Sequence, residues 1–133
     1  KKNILQINYS YNSSKPIIVY GCQDARPENN LLIINFLLEN FNDKLVYIVP
    51  HPREDIKFYL KEFKHPNIVV SRDKPSDIEL FFSRFSTLGI EYANLGVKTI
   101  YVNLDKVKMD FMLSEQFEVY NSIEELKISL FEN

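Results

Sequence analysis

With 133 residues the chain has one domain's worth of sequence, enough to bury a core but short for a two-domain enzyme. Its 16 basic and 18 acidic side chains leave a net charge of −2 with no Lys/Arg-rich block, so the electrostatic footprint of a nucleic-acid binder is missing. The longest apolar run, Leu31 to Leu38, is interrupted by Asn35 and falls far below the roughly 18 residues that a membrane-spanning helix needs.

The first residues, "KKNILQINYSYNSS", lack the basic cluster and long apolar run of a secretory signal. Residues 1–15 read as a linker or leading segment, and 16–133 as a single domain. Cys22, the one cysteine, has no partner for an internal disulfide and no Cys/His spacing for zinc, which points to a reducing, cytoplasmic setting. Any peripheral association with the inner membrane would come through other regions. A chain that opens on Lys1 reads as a piece of something longer.

From Pro16 onward short β-rich runs alternate with helical patterns. The strands are expected at Pro16–Tyr20, Leu45–Val49, Asn67–Val70, Leu80–Ser83, Lys98–Asn103 and Phe117–Val119. Between the first two, Ile34, Leu37, Leu38 and Phe41 recur at i, i+3, i+4, i+7; after the second, Ile56, Tyr59, Leu60 and Phe63 do the same, so each set forms one buried helical stripe. Ser76 with Glu79, and Ser122 with Glu125, fit the S-x-x-E capping box, the second opening a C-terminal helix that carries Ile123, Leu126 and Leu130. Nearly continuous apolar strands such as "PIIVY" and "LVYIV" suit a parallel sheet covered on both faces. The fold expected is a doubly wound, Rossmann-like α/β domain of about six strands with helices on both faces.

Such a sheet binds ligands in the loops beyond the carboxyl ends of its strands. Four loops qualify: "GCQDARPE" at 21–28, "PHPRED" at 50–55, "SRDKPSD" at 71–77 and "RFSTLG" at 84–89. In the first, Gly21 either lets a ligand approach the backbone or makes the turn. Cys22 reads as a buried small residue rather than a nucleophile paired with His51. In the second, His51 follows a buried strand and precedes Pro52, a stiff setting that aims the imidazole at the crevice, where a histidine can donate a proton or hydrogen bond to a leaving phosphate. Arg53 either adds a charge-assisted contact or is simply exposed.

In the fourth loop, Ser86 is a candidate N-cap, with Thr87 in the first turn. Hydroxyls and free N–H groups would converge there at the positive end of a helix dipole and receive a phosphate. Glu91, four residues after Thr87, falls on the same helical face, where a carboxylate suits ribose hydroxyls. Ser86 alone reads equally as a plain cap and Glu91 as a solvated helix residue; the combined pattern favours a nucleotide read from phosphate to sugar. Gly96 is expected to end this helix. His65 carries no assigned role.

His51-Pro52 after the second strand and Ser86-Thr87 opening the helix after the fourth resemble the HP and S-S/T motifs in the C-terminal, nucleotide-binding domain of GT-B glycosyltransferases. The likeness is to bacterial sialyltransferases and capsule polysialyltransferases. "FSTLGIEYANLGVKTIYV" is also similar to the donor-binding segment of UDP-N-acetylglucosamine 2-epimerases and of capsule and teichoic-acid polymerases. The resemblance spans residues 16–131. It implies that His51 contacts or protonates the leaving phosphate, that Ser86 and Thr87 bind it, and that Glu91 holds the ribose; Gly21, Pro52 and Arg53 are expected to support them. It also implies a CMP- or UDP-linked sugar as partner, with CMP-sialic acid favoured, and a role in capsule or lipopolysaccharide glycans. No cofactor or metal is expected, because no DxD-like cluster is present. The acidic motif that supplies the catalytic base in the sialyltransferase families belongs to an N-terminal domain with no counterpart here. The chain is therefore expected to be inactive in transfer alone. The alternatives are a 2-epimerase half-domain and a single-domain α/β binding module.

Overall fold

Apolar residues on both faces of a strand require cover on both sides, and the central strands meet that condition. The structure, a computed structural model, describes residues 16–109 and 117–131; the expected linker at 1–15 lies outside them. Six strands, β1 (Ile17–Gly21), β2 (Leu45–Val49), β3 (Ile68–Val70), β4 (Leu80–Ser83), β5 (Lys98–Val102) and β6 (Phe117–Tyr120), form one sheet in the order β3-β2-β1-β4-β5-β6. Every neighbouring pair is parallel. All six expected strands are present, with ends shifted by at most a residue or so.

The period-two alternation of the strands sorts their side chains between two cores. Ile18, Tyr20, Val46, Ile48, Phe82, Ile100 and Val102 face α1 (Pro27–Asn40), α2 (Ile56–Glu62) and α4 (Ile123–Phe131). Val19, Val49 and Phe81 face the opposite side, where α3 (Leu88–Asn94) lays Tyr92 against Phe81 with ring centroids 5.0 Å apart. The sheet is thus doubly wound, with its helices divided unequally. The periodic stripes of α1 and α2 are the buried ones, ending at Phe41 and Phe63, whose N–H groups close the last helical turn onto Leu37 and Tyr59.

The caps divide. At α4, Ser122 Oγ accepts from Glu125 N–H at 3.0 Å, as the capping box requires, while Glu125 reaches back to Asn121 N–H at 3.1 Å. The box at Ser76 opens no helix. Residues 71–79 cross irregularly from the sheet edge to its centre, and Glu79 instead pairs with Lys44 at 2.9 Å while its N–H bonds Ile17. A strand connection and an ion pair outcompete a cap that has no apolar period behind it. Gly96, at φ 83°, ends α3 as expected: Val97 N–H returns to Tyr92 and Gly96 N–H to Ala93, the six-to-one and five-to-two bonds of a Schellman motif.

A largely buried polar network lies at the carboxyl end of the sheet. Arg84, with no exposed surface, holds Asp105 through Nε at 2.7 Å and Nη2 at 2.8 Å, and donates through Nη1 to Asn30 Oδ1 at 3.2 Å. Asn30 Oδ1 also accepts from Tyr20 Oη at 2.7 Å and Gln23 N–H at 3.2 Å, and Asn30 Nδ2 donates to the Gln23 carbonyl at 2.7 Å and Tyr59 Oη at 3.0 Å. Tyr59 in turn donates to Glu54 Oε2 at 2.6 Å. The loops after β1, β2, β4 and β5 are tied through one amide and one guanidinium.

Burial acts to raise the Asp105 carboxyl, but the hydrogen bonds from Arg84 and Asn29 outweigh it and hold its pKa below the ordinary carboxylate value. A carboxylate depressed in the folded state stabilises above its unfolded pKa and loses that contribution as pH falls through the folded one. Denaturant unfolding followed from neutral to strongly acidic pH is therefore expected to show stability falling below the ordinary carboxylate range. Asp105→Asn, which strands Arg84 in the interior, is expected to cost about 3–5 kcal/mol at neutral pH and to flatten that acid limb.

Candidate functional site

The strand order reverses between β1 and β4, so the loops that follow them run to opposite sides and leave a crevice at the carboxyl edge. The crevice is a cleft of about 560 Å³ lined by residues of all four loops singled out from sequence, among them Gly21, His51, Pro52, Ser86 and Thr87, and by Glu91 of α3. Arg72 and Lys74, from the irregular crossover, also line it.

His51 is held from several directions. Its N–H donates to Glu54 Oε1 at 3.0 Å and its carbonyl accepts from Glu54 N–H at 2.8 Å, closing the loop on itself. Its Nδ1 accepts from Arg53 N–H at 3.1 Å. With that lone pair occupied, the neutral ring carries its proton on Nε2. Arg72 donates from Nη1 to the His51 carbonyl at 3.0 Å and from Nη2 to the Glu54 carbonyl, a fork closed over the same loop. Because Glu54 also receives Tyr59 Oη, the buried network reaches the histidine's backbone.

The second wall is the start of α3. By backbone geometry the cap position is Thr87, one residue later than expected for Ser86. Ser86 Oγ nonetheless accepts from Leu88 N–H at 3.1 Å, so its hydroxyl serves the helix start while the residue borders the cleft. Thr87 is exposed and caps nothing, and Glu91, one turn further, is exposed on the same face. Ser86 is fixed from beneath by Tyr101 of β5, whose Oη donates to the Ser86 carbonyl at 2.7 Å. Tyr101 can reach it because position 89 has no side chain: a Cβ on Gly89 would lie 2.0 Å from the phenol oxygen.

The other named residues fall out differently. Gly21 makes no turn; it ends β1 in register with Val49 and Ser83, and a Cβ there would meet the Phe81 ring at 2.9 Å. Cys22 is buried, and burial pushes its thiol well above the usual range, as suits a packing residue rather than a nucleophile. Arg53 is absent from the cleft wall. Its side chain is 75% exposed, bonds Asp24 through Nε at 2.7 Å, and borders a separate groove of about 250 Å³ with Asp55, Phe58 and Tyr59. Sequence reasoning missed Arg72, Gly89, Tyr101 and the Asn30–Arg84 network. The only available signals were the polar character of loop 71–77 and a glycine inside a helix.

No family model matches the sequence, and no curated protein matches it either. Solved structures do. The chain is similar to KpsC of Thermosulfurimonas dismutans, described as a beta Kdo 2,4 transferase, at TM-score 0.59 and 20% identity over 86% of this chain and 41% of that one. It is also similar to a variant of the wall teichoic acid polymerase TagF, at TM-score 0.60 and 14% identity over 91% of this chain and 35% of that one. The chain therefore spans less than half of either protein. At these identities the likeness establishes the Rossmann-like parallel fold.

Two outcomes check the site's construction. The ¹⁵N spectrum of neutral His51 is expected to show Nε2 protonated and Nδ1 as acceptor. Gly89→Ala is expected to destabilise the chain by about 1–3 kcal/mol, the usual range for overpacking, and to shift the amide signals of Ser86 and Thr87 in a ¹⁵N–¹H spectrum.

Proposed function

We propose that this chain is the donor-binding half of a GT-B glycosyltransferase that builds a capsule or lipopolysaccharide glycan. The observation that carries the reading is the convergence, in one cleft at the sheet's switch point, of His51-Pro52, Ser86-Thr87 and Glu91. In this reading the donor phosphate lies against the Thr87 hydroxyl and the start of α3, and His51 Nε2–H donates to it as the glycosidic bond breaks. Glu91 accepts from the ribose hydroxyls. Charge developing on the leaving phosphate is stabilised by fixed groups of the protein rather than a metal ion. Residues 16–133 serve as the nucleotide-binding domain. The acceptor and the catalytic base belong to a second domain facing the cleft, so the chain binds donor without completing transfer.

The names of the two structural neighbours, a Kdo transferase and a wall teichoic acid polymerase, support a glycan-assembling enzyme. The HP and Ser-Thr pairs favour CMP-sialic acid as the donor. A 2-epimerase half-domain would use the same cleft for a UDP-linked sugar.

Titration of the chain with CMP and UDP, followed by ¹⁵N–¹H NMR, is expected to move the signals of His51, Ser86, Thr87 and Glu91 together. CMP preference would support sialyl-type transfer and UDP preference the epimerase-like alternative; silence with both nucleotides would refute the donor-site reading. Glu91→Ala is expected to bind ribo- and deoxyribonucleotides alike, whereas the unmodified chain should favour the ribonucleotide by roughly tenfold, the worth of one charged hydrogen bond.

A further inference from the structure

The cleft contains an uncommitted cation that the phosphate-and-ribose assignment does not use. Two cationic side chains of the crossover, Arg72 and Lys74, line the same wall. Their situations are opposite. Both terminal nitrogens of Arg72 are engaged with carbonyls of the 50–54 loop, so its donors are directed into the protein. Lys74 is exposed, and among the described residues no carboxylate lies within ion-pair distance of it. Its backbone is nevertheless well placed. Arg72 anchors the crossover on one side of it, and Tyr92 Oη, donating to the Pro75 carbonyl at 2.6 Å, anchors it on the other.

Lys74 and Glu91 also share the lining of a second, smaller recess of about 80 Å³, bordered as well by Tyr92 and Leu95. The two charges of opposite sign thus border both cavities. A ligand there must offer hydroxyl donors to the carboxylate and a negative group to the ammonium. One phosphate at the start of α3 meets Thr87 and leaves Lys74 without an anion.

We infer that Lys74 makes the cleft selective for ligands with a second negative group beside the first phosphate, either the β-phosphate of a nucleoside diphosphate or the carboxylate of an acidic sugar on a nucleoside monophosphate. This inference rests on the donor-site reading above. An ammonium satisfies both sources as a point charge with rotatable donors, and a second charge-assisted contact in a partly exposed cleft corresponds to about tenfold in affinity.

The test compares dissociation constants by calorimetry at one fixed, low salt concentration. The probes are CMP, CDP, UMP, UDP and CMP-N-acetylneuraminic acid, with the unmodified chain, Lys74→Gln and Lys74→Arg. A diphosphate preference of about tenfold that falls toward unity in Lys74→Gln and returns in Lys74→Arg supports the β-phosphate source. The same pattern for the acidic sugar over CMP alone supports the carboxylate source. If nucleotides bind but Lys74→Gln leaves both ratios unchanged, the inference is overturned and the donor-site reading stands. If no nucleotide binds the unmodified chain, both fail.

Discussion

The loops that leave the carboxyl edge of this sheet after β1, β2, β4 and β5 are tied together through the side-chain amide of Asn30. It accepts from Tyr20, Gln23 and Arg84 and donates to Gln23 and Tyr59, so elements far apart in sequence meet on one group. Such an amide has no apolar equivalent: removing it would leave the Tyr20 hydroxyl and Arg84 Nη1 without that acceptor in the interior, each with a desolvation cost, while Asp105 still held the rest of the guanidinium and Glu54 still held Tyr59. Arg84 completes the arrangement by carrying its charge to Asp105, itself only 7% exposed. Hydrophobic packing against α1, α2 and α4 makes the layer. The polar network determines how the loops leave it.

That division of labour explains why the cleft can be open to solvent yet ordered. His51 is held through its amide, its carbonyl and its Nδ1, which leaves Nε2 as the one ring atom free to meet a ligand. Thr87 and Glu91 project from a helix start pinned by Tyr101 and by stacking of Tyr92 on Phe81. Supporting groups behind a site keep its reacting groups within a narrow range of positions, and here the support is largely buried while the groups it aims are accessible.

The strands and helices were legible in sequence because their signals are local: nearly continuous apolar runs in "PIIVY" and "LVYIV", period 3.6 at Ile34 and Ile56, a capping box before Ile123. The cleft residues were legible because one rule of parallel sheets says which loops to inspect. What could not be read were partnerships between distant positions. Asn30 looks like an ordinary polar residue in a helix until Arg84, 54 positions later, is brought to it. Arg72 looks like a surface cation until its fork closes on carbonyls of another loop. The false box at Ser76 shows the converse: a correct local pattern is overridden when the chain must instead cross to the sheet's centre. Ser86 shows a milder case: expected as the cap, it serves the helix start with its hydroxyl from one residue before the position that backbone geometry makes the cap, Thr87.

The crossover at 71–79 has a further consequence. It lacks the repeating hydrogen bonds of a helix or strand, and it is fastened at separate points: Ser71 on Ile48, Arg72 on the 50–54 loop, Tyr92 on Pro75 and Glu79 on Ile17. A segment fastened in this way opens at lower free energy than the strands it joins, so its amides exchange with solvent ahead of the core. The same stretch carries two cations of the cleft wall. Occupancy of the cleft and protection of these amides are thus two readings of a single equilibrium, and a ligand gripping Lys74 would be felt as slower opening of the whole crossover.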